Sequence, residues 1–279
     1  MISMLRDAWT LAPEAMTGGL LVAAACAVVG LVLRWRRLVW TGLAVPEASN
    51  AGTAFALGVC GIEEGSSGLA LLASVLAIVW LVPVGRSGGR TGESSAAACF
   101  LLASTLSVLF VSNSPHGLDE VRALATGRGL LFLREGDMAV LAATLGSLLA
   151  VTLIACGALS AAAFDRDHAR MAGFAVARLE GGFAIGFALL VSVAGPRAGA
   201  PFLFAYLTLA PAAAESLAAR PSTMLAVSVL LAAMGFLLGG ACAVRFDLPF
   251  STAASGGIVA VAGLCLAVGR AVGRVRHQA

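Results

Sequence analysis

Charge is scarce in this sequence, and lysine is absent. Only 12% of its 279 residues are charged, whereas about 25% is typical of a soluble domain. All 18 basic residues are arginine. Hydrophobic residues make up 59% of the chain, and its mean hydropathy is +0.95. These values exclude a water-soluble globular fold. No basic run is interleaved with aromatic side chains, so nothing indicates a nucleic-acid partner.

Residue types that commonly bind metals or cofactors are also few. The cysteines are isolated from one another, with no pair at metal-binding spacing, and we interpret them as small hydrophobic filler. The histidines lie in predicted loops or in the C-terminal tail. The cysteines are Cys26, Cys60, Cys99, Cys156, Cys242 and Cys265, and the histidines are His116, His168 and His277. The sequence therefore predicts no bound cofactor.

Long apolar runs alternate with short arginine-bearing connections along the whole chain. Because about 20 helical residues cross a hydrocarbon core, we predict a single-domain, all-α polytopic membrane protein of about nine transmembrane helices (eight to ten) over residues 15–269. The second span is short and polar, and the seventh contains Pro201, Pro211 and Glu215, so both need neighbouring protein around them. The predicted spans are 15–33, 46–61, 68–84, 96–112, 138–163, 180–195, 199–217, 222–244 and 251–269.

The arginines are distributed unequally between the two sides of this map. Twelve of them follow spans one, three, five, seven and nine, and six lie on the opposite side. Arginine-rich loops are typically retained in the cytoplasm. The bias therefore predicts an N-terminus outside and a C-terminus in the cytoplasm of a bacterial inner membrane.

Two connections are longer than simple turns. Residues 113–137, on the outer side, alternate apolar and charged residues in a pattern typical of an amphipathic helix at the lipid–water interface. Residues 164–179, on the cytoplasmic side, combine Phe164 and Phe174 with several charged residues. They predict a short polar helix with an apolar side, broken near Gly173. That apolar side requires lipid headgroups or another protein as its partner.

Several motifs, in this order and spacing, resemble the permeases of the zinc/manganese-type ABC metal importers. Residues 36–42 match that family's arginine pair and glycine before the second helix. Residues 164–173 have the Phe-Asp-x-Asp-x-Ala-x-x-x-Gly character of its cytoplasmic coupling region. Residues 207–214 resemble its apolar run ending in Pro-Ala-Ala, and residues 246–249 resemble its Leu-Asp-Leu-Pro. The similarity extends over nearly the whole chain.

The resemblance implies a type II ABC importer-like permease bundle that is one subunit of a larger transporter. Its implied partners are a second permease copy in a homodimer, an ATP-binding cassette subunit, an extracytoplasmic substrate-binding protein and membrane lipid. ATP hydrolysis would belong to the partner, because this chain has no Gly-x-x-x-x-Gly-Lys-Ser/Thr phosphate loop. The chain would therefore not be an enzyme. The implied substrate is a divalent metal ion, zinc or manganese, or a metal complex.

The chain departs from the family pattern at the start of the second helix. The family usually has Gly-Asp-x-x-Ser-His there, and its Asp and His are the expected metal contacts. Aligned through Gly42, this chain has Leu43 at the Asp position and Glu47 at the His position. A single carboxylate suits Mn²⁺ or Mg²⁺ better than Zn²⁺, whose sites favour imidazole and thiolate. Glu47 is therefore the candidate metal ligand.

The candidate residues for a translocation pathway are Glu47, Asn50 and Glu180. An ionisable group at membrane depth usually faces a cavity, and Asn50 shares a helical face with Glu47. Alternatively, Glu47 after Pro46, and Glu180 at the start of span six, are first-turn carboxylates stabilised by a helix dipole. The candidates for coupling to an ATPase, which are alternatively solvated loop residues, are Asp165, Asp167, His168, Arg170 and Gly173.

The sequence leaves three functions open. The preferred function is the permease subunit of an ATP-driven importer that works by alternating access. The second is a non-transporting scaffold, or a degenerate partner of another permease, which the missing Asp/His pair favours. The third is a secondary carrier that needs no ATPase. Glycine pairs at 181–182, 239–240 and 256–257 are expected to allow close helix packing rather than to build a site.

Overall fold

The computed structural model describes residues 6, 9–10, 12–61, 66–86, 90–112, 135–246 and 248–278. Within these ranges the chain is all-α and contains no strand. The helices are α1 (Pro13–Trp35), α2 (Thr41–Gly58), α3 (Ser66–Arg86), α4 (Arg90–Val111), α5 (Glu135–Ile154), α6 (Cys156–Phe164), α7 (Arg166–Met171), α8 (Val176–Ala198), α9 (Ala200–Leu217), α10 (Pro221–Phe246) and α11 (Phe250–Gln278).

Six of the described helices are long and apolar enough to cross a membrane. They are α1, α4, α8, α9, α10 and α11. A seventh span results if α5 and α6, which meet at an angle of 61°, are counted as one broken crossing. The remaining two spans of the sequence map fall on α2 and α3, which do not meet this criterion of length and hydropathy. The count of nine is therefore not confirmed.

Helix α1 lies at the centre of the bundle, where it packs on α9, α10 and α5. Most of its residues are buried. At its crossing with α9, the backbone of Leu207 lies so close to Gly30 that an added Cβ would stand 2.8 Å from the Leu207 Cα. A hydrogen bond also joins α10 to α1, since the Ser228 hydroxyl donates to the Ala27 carbonyl at 3.3 Å. Small residues and polar side chains at helix interfaces are the usual means of association inside a membrane.

Helix α2 begins earlier than the sequence map places it. It starts at Thr41, so Pro46 lies inside the helix and Glu47 lies in its second turn. The interpretation of Glu47 as a first-turn carboxylate at a helix start is therefore wrong. Proline inside a helix removes one backbone hydrogen bond. This loss is tolerated here because α2 is surrounded by α3, α4, α8 and α9 rather than by lipid.

The polar residues of α2 face other helices. Ser49, Asn50 and Thr53 are buried, and the Ser49 hydroxyl donates to the Val191 carbonyl of α8 at 3.4 Å. Gly52 lets α3 approach, since an added Cβ would stand 2.8 Å from the Cβ of Ala73. These contacts explain how a helix with modest hydropathy is held at the middle of an apolar bundle.

The predicted glycine packing is found at one pair of helices and not at another. At the contact of α10 with α11, Gly239 lies against Ala254, and an added Cβ on Gly257 would stand 2.7 Å from the backbone nitrogen of Gly239. Gly181 and Gly182 in α8, by contrast, have open space within 4 Å of an added Cβ. The packing expectation for residues 181–182 is therefore wrong within the described part of the chain.

The outer connection falls mostly outside the described residues. The interfacial helix predicted within 113–137 lies there, except that α5 already begins at Glu135. The connection 164–179 is described completely. It contains the end of α6, the six-residue α7 and the beginning of α8.

Candidate functional site

A cavity of about 410 Å³ lies between α2, α4 and the beginning of α9. Glu47 and Asn50 both line it, so the helical face that the sequence indicated does meet an open space. Ser104 and Ser107 of α4 contribute the other polar side chains. We call this space the Glu47 cavity; its apolar lining is Leu43, Phe100, Val108, Val111, Ala200, Pro201 and Phe204.

The polar side chains of the Glu47 cavity all present oxygen. The Ser104 hydroxyl is hydrogen-bonded to the Glu47 carboxylate, and the Ser107 hydroxyl donates to the Ala103 carbonyl at 2.8 Å. Asn50 is only 4% exposed, and its Oδ1 has no hydrogen-bond partner among the described residues. A buried acceptor without a partner is uncommon in folded proteins and calls for an explanation. This oxygen is itself buried and lies next to Gly195 of α8.

The donor set of the cavity limits which metals it could hold. Within the described ranges, no group of three or more His, Cys, Asp or Glu side chains comes together. Leu43 lies on the cavity wall, where it supplies an apolar surface instead of a ligand. One carboxylate with hydroxyl oxygens fits a hard cation, whereas Zn²⁺ favours imidazole and thiolate. A cation in this cavity would keep several of its own ligands, whether water or a chelator.

Glu180 does not share a cavity with Glu47. It lines a second cavity of about 480 Å³ at the end of the bundle where α1 finishes, together with Arg36, Arg37 and Arg166. We call this end the arginine end. The Glu180 carboxylate accepts a hydrogen bond from Arg166 Nη2 at 2.5 Å and lies 3.3 Å from Arg36 Nη2. The structure therefore separates the three pathway candidates into a pair and a single residue.

Three ion pairs at the arginine end were not predicted from the sequence. Besides the Glu180 pairs, Arg34 of α1 binds Glu215 of α9. From the sequence, residues 34–37 indicate the orientation and contribute to a family motif, but they do not indicate these ion pairs. A usable signal was present, because Glu180 and Glu215 are isolated acidic residues in otherwise apolar helices on the same side of the span map. An isolated carboxylate in such a position usually has a cationic partner.

Helix α7 is fixed at both ends by local chemistry. Asp165 is its N-cap, and its side chain accepts hydrogen bonds from the backbone N–H groups of Asp167 and His168 at 3.0 Å each. After α7 ends at Met171, Gly173 adopts a φ of +85°, a conformation that favours glycine. The break expected near Gly173 is thus found in the backbone. Arg170 lies 3.6 Å from Asp167 on the exposed side.

Large apolar side chains surround α7 and remain exposed. Phe164 is 70% exposed, Met171 81% and Phe174 42%. They accompany the exposed polar side chains of Asp167, His168 and Arg170, so this surface is neither purely apolar nor purely polar. We call it the α7 surface. Apolar anchors within a charged surround are typical of a protein interface.

Comparison with known proteins agrees with this geometry. The ABC 3 transport family model matches residues 9–272. The fold matches a chain of "PsaBC from Streptococcus pneumoniae in complex with Fab" with a TM-score of 0.81 and 17% identity over 95% of each chain. It also matches "an inward-facing conformation of a putative metal-chelate type ABC transporter" with a TM-score of 0.73 and 15% identity, over 91% of this chain and 84% of the other. No curated protein matches by sequence. With a family match over nearly its entire length, this chain belongs to the ABC 3 transport family and is a multi-pass membrane transport subunit.

Proposed function

We propose that the chain is the permease subunit of an ATP-driven importer for a divalent metal ion, of the zinc or manganese type, or for a metal complex. The observation that carries this proposal is the α7 surface. A capped six-residue helix stands out from the end of a membrane bundle and exposes Phe164 and Met171. Exposed apolar side chains of that size outside a bilayer mark a binding surface. An ATP-binding cassette subunit is the partner that the family match suggests.

The proposed mechanism is alternating access. ATP binding and release in the partner would move α7, through Asp165, Asp167, His168, Arg170 and Gly173. Two permease copies would open the pathway between them to alternate sides, and an extracytoplasmic binding protein would deliver the substrate. In this scheme the chain itself breaks no bond.

The proposed orientation places the N-terminus outside and the arginine end in the cytoplasm of a bacterial inner membrane. The contact of Arg36 with Glu180 supports this orientation. It brings the end of α1 and the α7 region to the same face of the bundle, as an orientation with both in the cytoplasm requires. We further propose that α2 and α3 cross the membrane, giving nine spans. Burial of the polar face of α2 against neighbouring helices makes such a crossing feasible.

The proposed pathway includes the Glu47 cavity. Glu47 supplies one carboxyl group, and Asn50 lines the cavity one turn further along α2. With one carboxylate and no imidazole, the cavity favours manganese or a metal complex over a bare zinc ion. One of the matched structures is described as a metal-chelate type ABC transporter, which supports a metal complex as one candidate cargo.

Purification and cell analysis test this function together. We expect the tagged chain, extracted from native membranes in mild detergent, to bring down a protein that hydrolyses ATP. We also expect cells without the chain to accumulate less manganese or zinc from medium that contains only trace metal. Elemental analysis of deletion and complemented cells measures that loss. Absence of any ATP-hydrolysing partner, together with unchanged contents of both metals, would overturn the proposal.

A scaffold role is the second candidate function. The observation that favours it is the wall of the Glu47 cavity, where Leu43 stands in place of a metal ligand. In that case the purified complex would contain a different permease chain with intact ligands. A complex with two identical permease chains and measurable metal uptake excludes the scaffold.

A further inference from the structure

We infer that Glu180 is a positioning residue that transmits the movement of α7 to α1. This inference rests on the proposed role of α7 as the attachment of an ATPase. Glu180 lies in α8, Arg166 is the first residue of α7, and Arg36 directly follows α1. One carboxylate thus joins three elements at the arginine end.

The apolar attachment of α7 is small. A separate cluster of Ala162, Ala169 and Val176, with Ala161 packed against it, holds α7 to α6 and α8. Three of these four side chains are single methyl groups, which bury little area and allow sliding. The bond from Arg166 Nη2 to Glu180 at 2.5 Å is directional by comparison. The orientation of α7 relative to the bundle therefore depends strongly on Glu180.

The contact between Glu180 and Arg36 is largely shielded from water, whereas Arg166 is partly exposed. The side chains of Glu180 and Arg36 are only 10% and 9% exposed, while that of Arg166 is 46% exposed. Charges act more strongly on each other where water is largely excluded. Removing the carboxylate would leave Arg36 and Arg166 beside one cavity without the negative charge that contacts both of them, and like charges repel each other.

Arg36 continues the connection into the core. Its guanidinium lies 5.5 Å from the centre of the Phe183 ring of α8, and α1 packs along α9. The first turns of α9 contribute Ala200, Pro201 and Phe204 to the wall of the Glu47 cavity. A shift of α1 that carries α9 with it would therefore move one wall of this cavity. The chain α7–Glu180–Arg36–α1–α9 forms a continuous physical path from the α7 surface to the proposed pathway.

The Glu180→Gln variant tests this inference in the purified transporter complex in proteoliposomes. The two readouts are ATP hydrolysis and uptake of Mn²⁺ as the free ion, expressed as Mn²⁺ transported per ATP hydrolysed. We expect ATPase association and hydrolysis to persist while this ratio falls by about tenfold, within the range typical of coupling between sites. Glu14→Gln is the matched control, since Glu14 lies in the first turn of α1 at the opposite end and should leave the ratio unchanged.

A double-mutant cycle separates this role from simple folding. Arg166→Gln should lower the ratio as Glu180→Gln does, and the double variant should be no worse than either single variant. Glu180→Asp, which keeps the charge with a shorter side chain, should give an intermediate ratio and replaces Glu180→Gln if that variant does not reach the membrane. An unchanged ratio in Glu180→Gln, additive losses in the double variant, or a ratio in Glu180→Asp that equals wild type would overturn the inference. A wild-type complex with no ATP-driven uptake of manganese or zinc would overturn the proposed function instead.

Discussion

Glu47 and Leu43 lie one helical turn apart on the wall of the same cavity. The resemblance implies His and Asp ligands at these two positions, so this is where the chain departs from the implied ligand pair. A carboxylate and a leucine cannot reproduce an imidazole–carboxylate pair, which is the better ligand set for zinc. The metal preference of this chain should therefore change with these two residues alone.

Replacing Leu43 by Asp and Glu47 by His tests this preference. We expect added Zn²⁺ to raise the Tm of the detergent-purified L43D/E47H variant and to leave the wild-type Tm unchanged, because a ligand that binds only the folded state stabilises it. In cells, the ratio of zinc to manganese uptake should rise by roughly tenfold, a modest step for a change of ligand type. The L43N/E47Q variant is the control, since it keeps similar shapes without the metal-binding pair. An equal response of both variants to Zn²⁺ would contradict the assignment.

A substitution of Asn50 should change stability and metal uptake in opposite directions. Its Oδ1 is buried and lacks a partner among the described residues. Replacing a buried unsatisfied polar group by an apolar one of similar shape can stabilise a protein, here by up to about 1 kcal/mol. We expect Asn50→Leu to raise the Tm in detergent and to lower metal uptake.

The control for Asn50→Leu is a substitution at a neighbouring buried polar residue whose hydrogen bond is formed. Ser49 is also buried, and its hydroxyl donates to the Val191 carbonyl. Ser49→Ala should therefore lower the Tm slightly and leave uptake near the wild-type level. A lower Tm for Asn50→Leu with normal uptake would show that Asn50 is a structural residue.

At the scale of elements, α2 shows where sequence periodicity is insufficient. The sequence map placed the second span at 46–61 because Pro46 suggested a helix start, whereas the helix begins at Thr41. Proline fits the first turn of a helix, but it is also tolerated inside one that other helices surround. Which case applies depends on α3, α4, α8 and α9, and the local sequence of α2 does not contain that information. The shared face of Glu47 and Asn50 was still predictable, because spacing alone determines it.

Helix α7 shows the opposite case, since local sequence specified it well. The cap Asp165, the short charged helix and the break near Gly173 follow from residue types at fixed spacing. The Glu180 bridge did not follow, because Arg36, Arg166 and Glu180 are far apart in the sequence and meet only through the packing of α1, α7 and α8. Long-range ion pairs of this kind need the fold before they can be assigned.

Gly173 allows a test of α7 as a rigid unit. Its φ of +85° is strained for any residue with a Cβ, although an added Cβ would meet nothing within 4 Å. We expect Gly173→Ala to cost about 1–2 kcal/mol at this turn and to reorient α7, so that less ATPase co-purifies with the permease. Gly181→Ala is the matched control, because it adds the same methyl group in equally open space without a positive φ. Equal ATPase recovery from both variants would show that the turn does not orient α7.

At the scale of the whole molecule, the ion pairs mark one end of the bundle, and the Glu47 cavity extends from near that end towards the opposite one. The Glu47 cavity lies beside α2, α4 and the start of α9, and the arginine end carries α7 and the end of α1. The sequence predicted this polarity from the distribution of arginine, although it did not predict that Arg34 and Arg36 bind Glu215 and Glu180. The orientation therefore becomes measurable with one residue from each end.

Cys60 and Met171 are those two residues. Cys60 is an exposed free cysteine directly after α2, on the outer side in the proposed orientation, and Met171 is 81% exposed at the end of α7. We expect a membrane-impermeant maleimide to label wild-type protein in right-side-out vesicles and to lose that labelling in Cys60→Ser. Adding Met171→Cys to the Cys60→Ser background should restore labelling in inside-out vesicles alone, because α7 must face the ATPase. The reverse pattern would place the α7 surface outside the cell, where no ATP-binding subunit could reach it, and the whole transport scheme would then have to be abandoned.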